Sequence, residues 1–87
     1  MPNRAMRVII DVRYVPRADG FPFPWIVQNA RQPAQAWPKR DLAIERAAEL
    51  GRRILSQGGL AQVRVFTKRG TLSFERTYGR DPRRRKG

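Results

Sequence analysis

The first clear pattern along the chain is the β-branched segment 8–15, in which apolar and polar residues alternate from residue 10 onward. This alternation is typical of a β-strand with one buried face, and it predicts that Val8, Ile10, Val12 and Tyr14 point inward while Arg13 points outward. A turn-rich loop over 16–24 follows, and residues 25–29 are then predicted to return as an antiparallel strand. Residues 34–37, between two prolines, predict a short third strand.

The pattern then becomes helical from residue 39 to about residue 57. Its apolar stripe includes small residues that should allow a close approach to a sheet: Ala43, Ile44, Ala47, Ala48, Leu50, Gly51, Ile54 and Leu55. Glu49 and Arg53 are spaced to form an ion pair on the polar side. Gly58 and Gly59 are predicted to end the helix.

Two further alternating segments, 61–67 and 71–77, flank an Arg-Gly pair at 69–70 and predict a hairpin with a two-residue loop. In that register Lys68 faces Thr71, and Arg64 faces Glu75 as a salt bridge. The predicted fold is therefore α+β, with residues 1–79 forming a single small β-β-β-α-β-β domain. Its antiparallel sheet carries one helix packed on one face. Open sheet edges make a homodimer a further expectation.

Charge is the strongest functional signal, because 19 Lys and Arg stand against 7 Asp and Glu, a net charge of +12. Residues 80–87 contribute +4 of this and are predicted to be a disordered basic arm, which leaves +8 on the domain. Such an excess favours an anionic partner. We expect nucleic acid, DNA or RNA, bound mainly through phosphates with low sequence specificity.

The residues predicted to bind nucleic acid come from the strands, the helix start, the hairpin turn and the arm. They are Arg7, Arg13, Lys39, Arg40, Arg64, Phe66, Lys68, Arg69, Arg83, Arg84, Arg85 and Lys86. Phe66 belongs to this set because the predicted register points it outward beside Arg64, where an exposed ring can stack on a base. It can equally mark a partner interface.

Several function classes are excluded or disfavoured by what the sequence lacks. The chain has no His and no Cys, so zinc fingers, disulfide frameworks, thiol nucleophiles and imidazole bases are excluded. It also has no phosphate-binding or nucleophile-elbow motif, and Glu45, Glu49, Glu75 and Asp81 each have a structural explanation. We therefore expect no enzyme activity, no cofactor and no metal. No apolar run matches a targeting or membrane segment, which predicts a cytoplasmic protein without a membrane partner.

An alternative function comes from the loop before the second strand, where Phe21 and Phe23 alternate with prolines. Two exposed aromatic side chains can anchor a protein interface, and surrounding arginines can steer it toward an acidic surface. The chain would then be a protein-interaction module, such as an inhibitor or adaptor of bacterial, plasmid or phage origin.

Several motifs carry a resemblance to a known family. They are the Trp-Ile-Val segment at 25–27, the Ala-rich helix, the Val-Arg-Val segment at 63–65 and the Tyr-Gly-Arg-Asp-Pro box at 78–82. The chain resembles a small bacterial family, domain-of-unknown-function family 2188, over about residues 8–82. The resemblance implies the same fold, but the family has no settled activity. Two departures are residues 21–24, where the family has Gly directly before the Trp, and Lys39, where it has a Thr cap.

A second likeness concerns the first half of the chain. Three strands followed by a helix, with a Trp in the second strand, are similar to arm-type integrase and plant AP2-type DNA-binding domains. In those domains the sheet enters the major groove and the helix packs behind it. The likeness implies, by analogy, a DNA contact through the strand that carries Arg13.

Overall fold

The computed structural model describes residues 7–16 and 20–79, which form one helix and a five-stranded sheet. The elements are β1 (Arg7–Tyr14), β2 (Trp25–Asn29), β3 (Gln35–Trp37), α1 (Arg40–Ser56), β4 (Leu60–Phe66) and β5 (Leu72–Tyr78). Every predicted boundary lies within one residue of the observed one. The α+β class and the single helix packed on a sheet are confirmed.

The sheet is mixed, so the prediction of a wholly antiparallel sheet was wrong in one pairing. The strand order is β3-β2-β1-β4-β5, and the central strands β1 and β4 are parallel. The helix is the reason. Its 17 residues span about 25 Å and carry the chain back along the sheet after β3, so that β4 starts again at the end where β3 started. Since β3 and β1 point the same way, β4 is parallel to both.

The core lies between the helix and one face of the sheet, as the alternation predicted. Its buried members are Val8, Ile10, Val12, Trp25, Val27, Ala43, Ala47, Leu50, Ala61, Val63 and Val65. Small residues on α1 bring the helix close to the sheet. At Gly51 an added Cβ would lie 2.6 Å from the ring of Tyr78, so this ring packs directly on the helix backbone. Leu55 was wrongly placed on the buried stripe, because its side chain is exposed.

The two ends of α1 differ in how they are capped. Lys39 is the N-cap residue and makes no side-chain cap hydrogen bond, although its carbonyl accepts from the amide of Ala43. At the other end Gly58 has a φ of +87°, a left-handed conformation that suits glycine and ends the helix as predicted. The pairing predicted for Glu49 was wrong: its carboxylate accepts from Arg46, 3.0 Å away, instead of from Arg53.

The β4–β5 hairpin has a three-residue loop instead of the predicted two-residue loop. The amide of Thr67 donates to the carbonyl of Thr71, so Thr67 instead of Lys68 faces Thr71. Gly70 has a φ of +91°, which fits a type I turn followed by a left-handed residue. A bulge between Val65 and the next residue restores the predicted alignment further along, where Arg64 faces Glu75.

Within residues 7–16 and 20–79, no helix is long and apolar enough to cross a membrane.

Candidate nucleic-acid interface

Four of the predicted binding residues lie on the sheet face opposite the helix. Arg7 and Arg13 alternate with the buried residues of β1, and Arg64 and Phe66 do the same on β4. The guanidinium carbon of Arg13 lies 4.0 Å from the centre of the Phe66 ring, and that of Arg64 lies 5.7 Å from it. Phe66 therefore points outward as predicted, but arginine stacking covers part of its ring.

The carboxylate of Asp11 contacts two of the arginine side chains on this face. The Arg64 guanidinium donates two hydrogen bonds to its carboxylate, from Nε at 2.8 Å and from Nη2 at 3.0 Å. Arg13 Nη2 lies 3.6 Å from the same carboxylate. The hydrogen bonds and the charge of Asp11 raise the pKa of the Arg64 guanidinium, and the charge of Glu75 adds to this. Arg64 is thus held charged and fixed in orientation.

The salt bridge predicted between Arg64 and Glu75 was wrong in its partner, although the cross-strand register is as predicted. Glu75 accepts a hydrogen bond from Gln62 Nε2 at 2.8 Å, while Arg64 turns toward β1. The parallel pairing of β1 with β4 places Asp11 directly beside Arg64, and their fork-to-fork contact has the stronger geometry. Sequence reasoning missed Asp11 because nothing in the local pattern of either strand specifies that these two strands are neighbours.

Arg7 lies apart from the other arginines of this face. It is six residues from Arg13 along β1, a separation of about 20 Å in an extended strand. Its guanidinium donates to Gln62 Oε1 at 3.5 Å. Three arginines and two carboxylates therefore share the described part of this face, and its net charge is much smaller than the arginines alone would indicate.

A second group of predicted residues lies together at one end of the sheet. β1, β3 and β4 all end there, because they point in the same direction. The chain leaves β3 into Lys39 and Arg40, and it leaves β4 into the turn that contains Lys68 and Arg69. We call these four residues the basic end.

Two contacts connect the elements at this end. Arg40 Nη2 donates to Ser73 Oγ at 3.2 Å, which joins the start of α1 to the start of β5. Lys68 Nζ lies 5.1 Å from the centre of the Tyr14 ring, at the end of β1. Lys39, Lys68 and Arg69 are exposed, and Arg40 is half-buried. Asp41, in the first turn of α1, is an acidic neighbour of this group.

The loop between β1 and β2 leaves and enters the sheet at the same end. The amide of Val15 donates to the carbonyl of Pro24 at 2.7 Å, so the base of the loop is closed by a backbone hydrogen bond. Phe21 and Phe23 are exposed by 37% and 42%, as predicted. Two aromatic rings are therefore presented to solvent at the end of the molecule that carries Lys68 and Arg69.

The remaining predicted residues, Arg83, Arg84, Arg85 and Lys86, lie outside the described residues, as does most of the Tyr-Gly-Arg-Asp-Pro box. Among the described residues, no group of three acidic side chains is arranged to hold a metal ion. The inward aromatics are as predicted: Trp25 is buried, and Tyr14 and Phe74 pack against the core.

Comparison with known proteins gives no match to a family model, to a curated protein or to a solved structure. The resemblance to family 2188 and the likeness to integrase and AP2-type domains remain predictions.

Proposed function

We propose that this chain is a small nucleic-acid-binding protein of the cytoplasm that contacts the phosphate backbone mainly through the basic end. The observation that carries the proposal is the convergence of Lys39, Arg40, Lys68 and Arg69 from two separate elements onto one end of the sheet. Clustered cations create a local positive potential that scattered charges of the same number do not. A phosphate chain is the anion that such a cluster can contact at several points.

The distribution of the acids supports the same surface. The described residues contain twelve Lys and Arg against five Asp and Glu, a net charge of +7. Asp11 and Glu75 lie on the open sheet face and Glu49 lies within the helix, each beside a named donor. Asp41 is the acid that lies beside the basic end, so its four cations stand against one described carboxylate, whereas the three arginines of the open sheet face stand against two. Contacts to phosphate carry no sequence information, which is why we propose low specificity.

The test compares two variants that remove the same charge from opposite ends of the molecule. Lys68→Ala/Arg69→Ala removes two cations from the basic end, and Arg52→Ala/Arg53→Ala removes two exposed cations from the last turns of the helix. Binding of each full-length variant to a random 20-base-pair duplex is measured by fluorescence anisotropy from about 50 to 200 mM salt, where counterion release dominates.

Each phosphate contact contributes about 0.9 to the slope of log Kd against log salt on duplex DNA. We therefore expect the Lys68/Arg69 variant to lose up to about 1.8 from this slope, while the Arg52/Arg53 variant keeps the slope of the native chain. Equal losses in both variants would mean that net charge alone attracts the nucleic acid. Absence of binding by the native chain at low salt, both to this duplex and to a single strand of the same length, would refute the function itself.

A second candidate function rests on the exposure of Phe21 and Phe23. A protein-interaction module would insert these rings into an apolar pocket of an acidic partner, with the basic end steering the approach. In that case the native chain would fail the nucleic-acid test. Phe21→Ala/Phe23→Ala would abolish the capture of a saturable protein partner, and full capture by this variant would contradict the module.

A further inference from the structure

We infer that the nucleic acid taken by this protein is single-stranded, and that Phe21 and Phe23 stack on its bases while the basic end contacts its phosphates. The inference rests on the proposed function and names its substrate class. Its carrying observation is the position of two exposed aromatic rings at the end of the sheet where the four cations of the basic end lie.

The combination of these two features distinguishes single strands from duplexes. In a duplex the faces of the bases are stacked on one another, and a protein at its surface meets phosphates and base edges. An exposed phenylalanine has no base face to contact there unless it forces the duplex apart. In a single strand every base offers a free face, and proteins that bind such strands combine a basic track with aromatic stacking positions.

Two features of the loop restrict the positions of its aromatic rings. Phe21 and Phe23 alternate with Pro22 and Pro24, whose fixed φ angles reduce the conformational freedom of the segment. The hydrogen bond from Val15 to Pro24 anchors its second end to β1. The two phenylalanines are at most about 7 Å apart at their Cα atoms, so a short stretch of single strand can contact both rings.

The third outward aromatic residue is placed differently. The ring of Phe66 is half-buried and has the Arg13 guanidinium 4.0 Å from its centre. Arg13 is held in turn beside the carboxylate of Asp11. A base could reach this ring only by displacing the arginine, so Phe21 and Phe23 are the aromatics of this end that carry the inference.

The experiment measures the binding of the full-length chain to a 20-nucleotide thymidine strand, to an abasic strand of the same length and to a duplex. The variant is Phe21→Ala/Phe23→Ala. A matched control is Leu42→Ala, which shortens a side chain that is 40% exposed and lies in the first turn of α1 but has no aromatic ring. Tryptophan fluorescence verifies that each variant is folded, since Trp25 is buried in the core and Trp37 packs against it.

Base–aromatic stacking contributes enough that we expect the double variant to bind the thymidine strand at least about tenfold more weakly. The slope of log Kd against log salt should stay unchanged, because stacking releases no counterions. Binding to the abasic strand and to the duplex should be unaffected, and Leu42→Ala should behave like the native chain. Replacing both phenylalanines with tryptophan should preserve the affinity for the thymidine strand.

The two proposals fail in different ways. If Phe21→Ala/Phe23→Ala keeps the native affinity for the thymidine strand while Lys68→Ala/Arg69→Ala weakens it, phosphate binding stands and stacking is refuted. If the double phenylalanine variant weakens binding to the abasic strand equally, the rings act on something other than bases, and the inference is again overturned. If the native chain binds none of the three ligands at low salt, both the proposed function and the inference are refuted.

Discussion

The contact between Arg64 and Asp11 offers the sharpest test of the structure, because it joins two strands whose pairing the sequence does not reveal. Its two hydrogen bonds are 2.8 and 3.0 Å long, and the side chains are 34% and 18% exposed. Fully exposed ion pairs contribute about 0.2–1 kcal/mol, and hydrogen bonds to charged groups about 1.5–3 kcal/mol. Partial exposure screens the pair, so we expect a coupling free energy of about 1–2 kcal/mol.

The assay is a double-mutant cycle with Asp11→Ala, Arg64→Ala and both together. Urea unfolding is followed by tryptophan fluorescence, because Trp25 is buried in the core and becomes exposed to water on unfolding. A chain of this length unfolds with a slope of about 1 kcal/mol per molar urea, so a coupling of 1.5 kcal/mol corresponds to a midpoint shift of about 1.5 M.

A second pair in the same protein serves as the control. Arg46 and Glu49 are joined by one ion pair of 3.0 Å on the helix surface, where the Glu49 side chain is 53% exposed. Its coupling should be about 0.3–0.5 kcal/mol and should decrease further in 1 M salt, whereas the Arg64–Asp11 coupling should keep most of its value. A coupling for Arg64–Asp11 no larger than the control would refute the bidentate contact between these two side chains.

Two further predictions concern the core and use the same unfolding assay. Ile10→Ala should lower the free energy of unfolding by about 2–5 kcal/mol, because the side chain is fully buried. Ile9→Ala, one position along and 41% exposed, should lower it by less than about 1 kcal/mol; similar losses would mean that the strand faces are assigned wrongly. Gly51→Ala should be destabilising, because overpacking against Tyr78 costs about 1–3 kcal/mol and the gain in helix propensity is about 1 kcal/mol. In a Tyr78→Ala background Gly51→Ala should instead stabilise, and the same loss in both backgrounds would show that the ring is not the cause.

Local patterns predicted the helix and all five strands to within one residue, for a physical reason that is visible in β1. Its residues alternate strictly between a buried and a solvated face, and only an extended backbone with a period of two places Val8, Ile10 and Val12 on one side. The C-terminal end of the helix was equally predictable from the sequence, because Gly58 can adopt the left-handed conformation that ends the helix. The exposure of Phe21 and Phe23 followed from their position between prolines in a loop.

The contacts between elements were harder to predict from the sequence. The Arg64–Glu75 salt bridge was predicted from the hairpin alone, and the actual partner, Asp11, is 53 residues away in the chain. The hairpin loop was taken as two residues because an Arg-Gly pair suits a tight turn, whereas a three-residue loop with Gly70 in a left-handed conformation lets Thr67 and Thr71 pair. In both cases the deciding feature, a distant strand or the geometry of the turn, lies outside the local alternation from which the pairing was predicted.

By itself, the sequence determined the elements, the buried faces and a strong excess of positive charge, because each depends on residue type and spacing along a short stretch of chain. The tertiary structure decided where the charged residues lie relative to one another. The parallel alignment of β1 and β4 brings Asp11 beside Arg64 and compensates the sheet face on which three binding arginines had been predicted. The same parallel alignment places Lys39, Arg40, Lys68 and Arg69 at one end of the sheet, because the chain segments that follow parallel strands leave the sheet at the same edge.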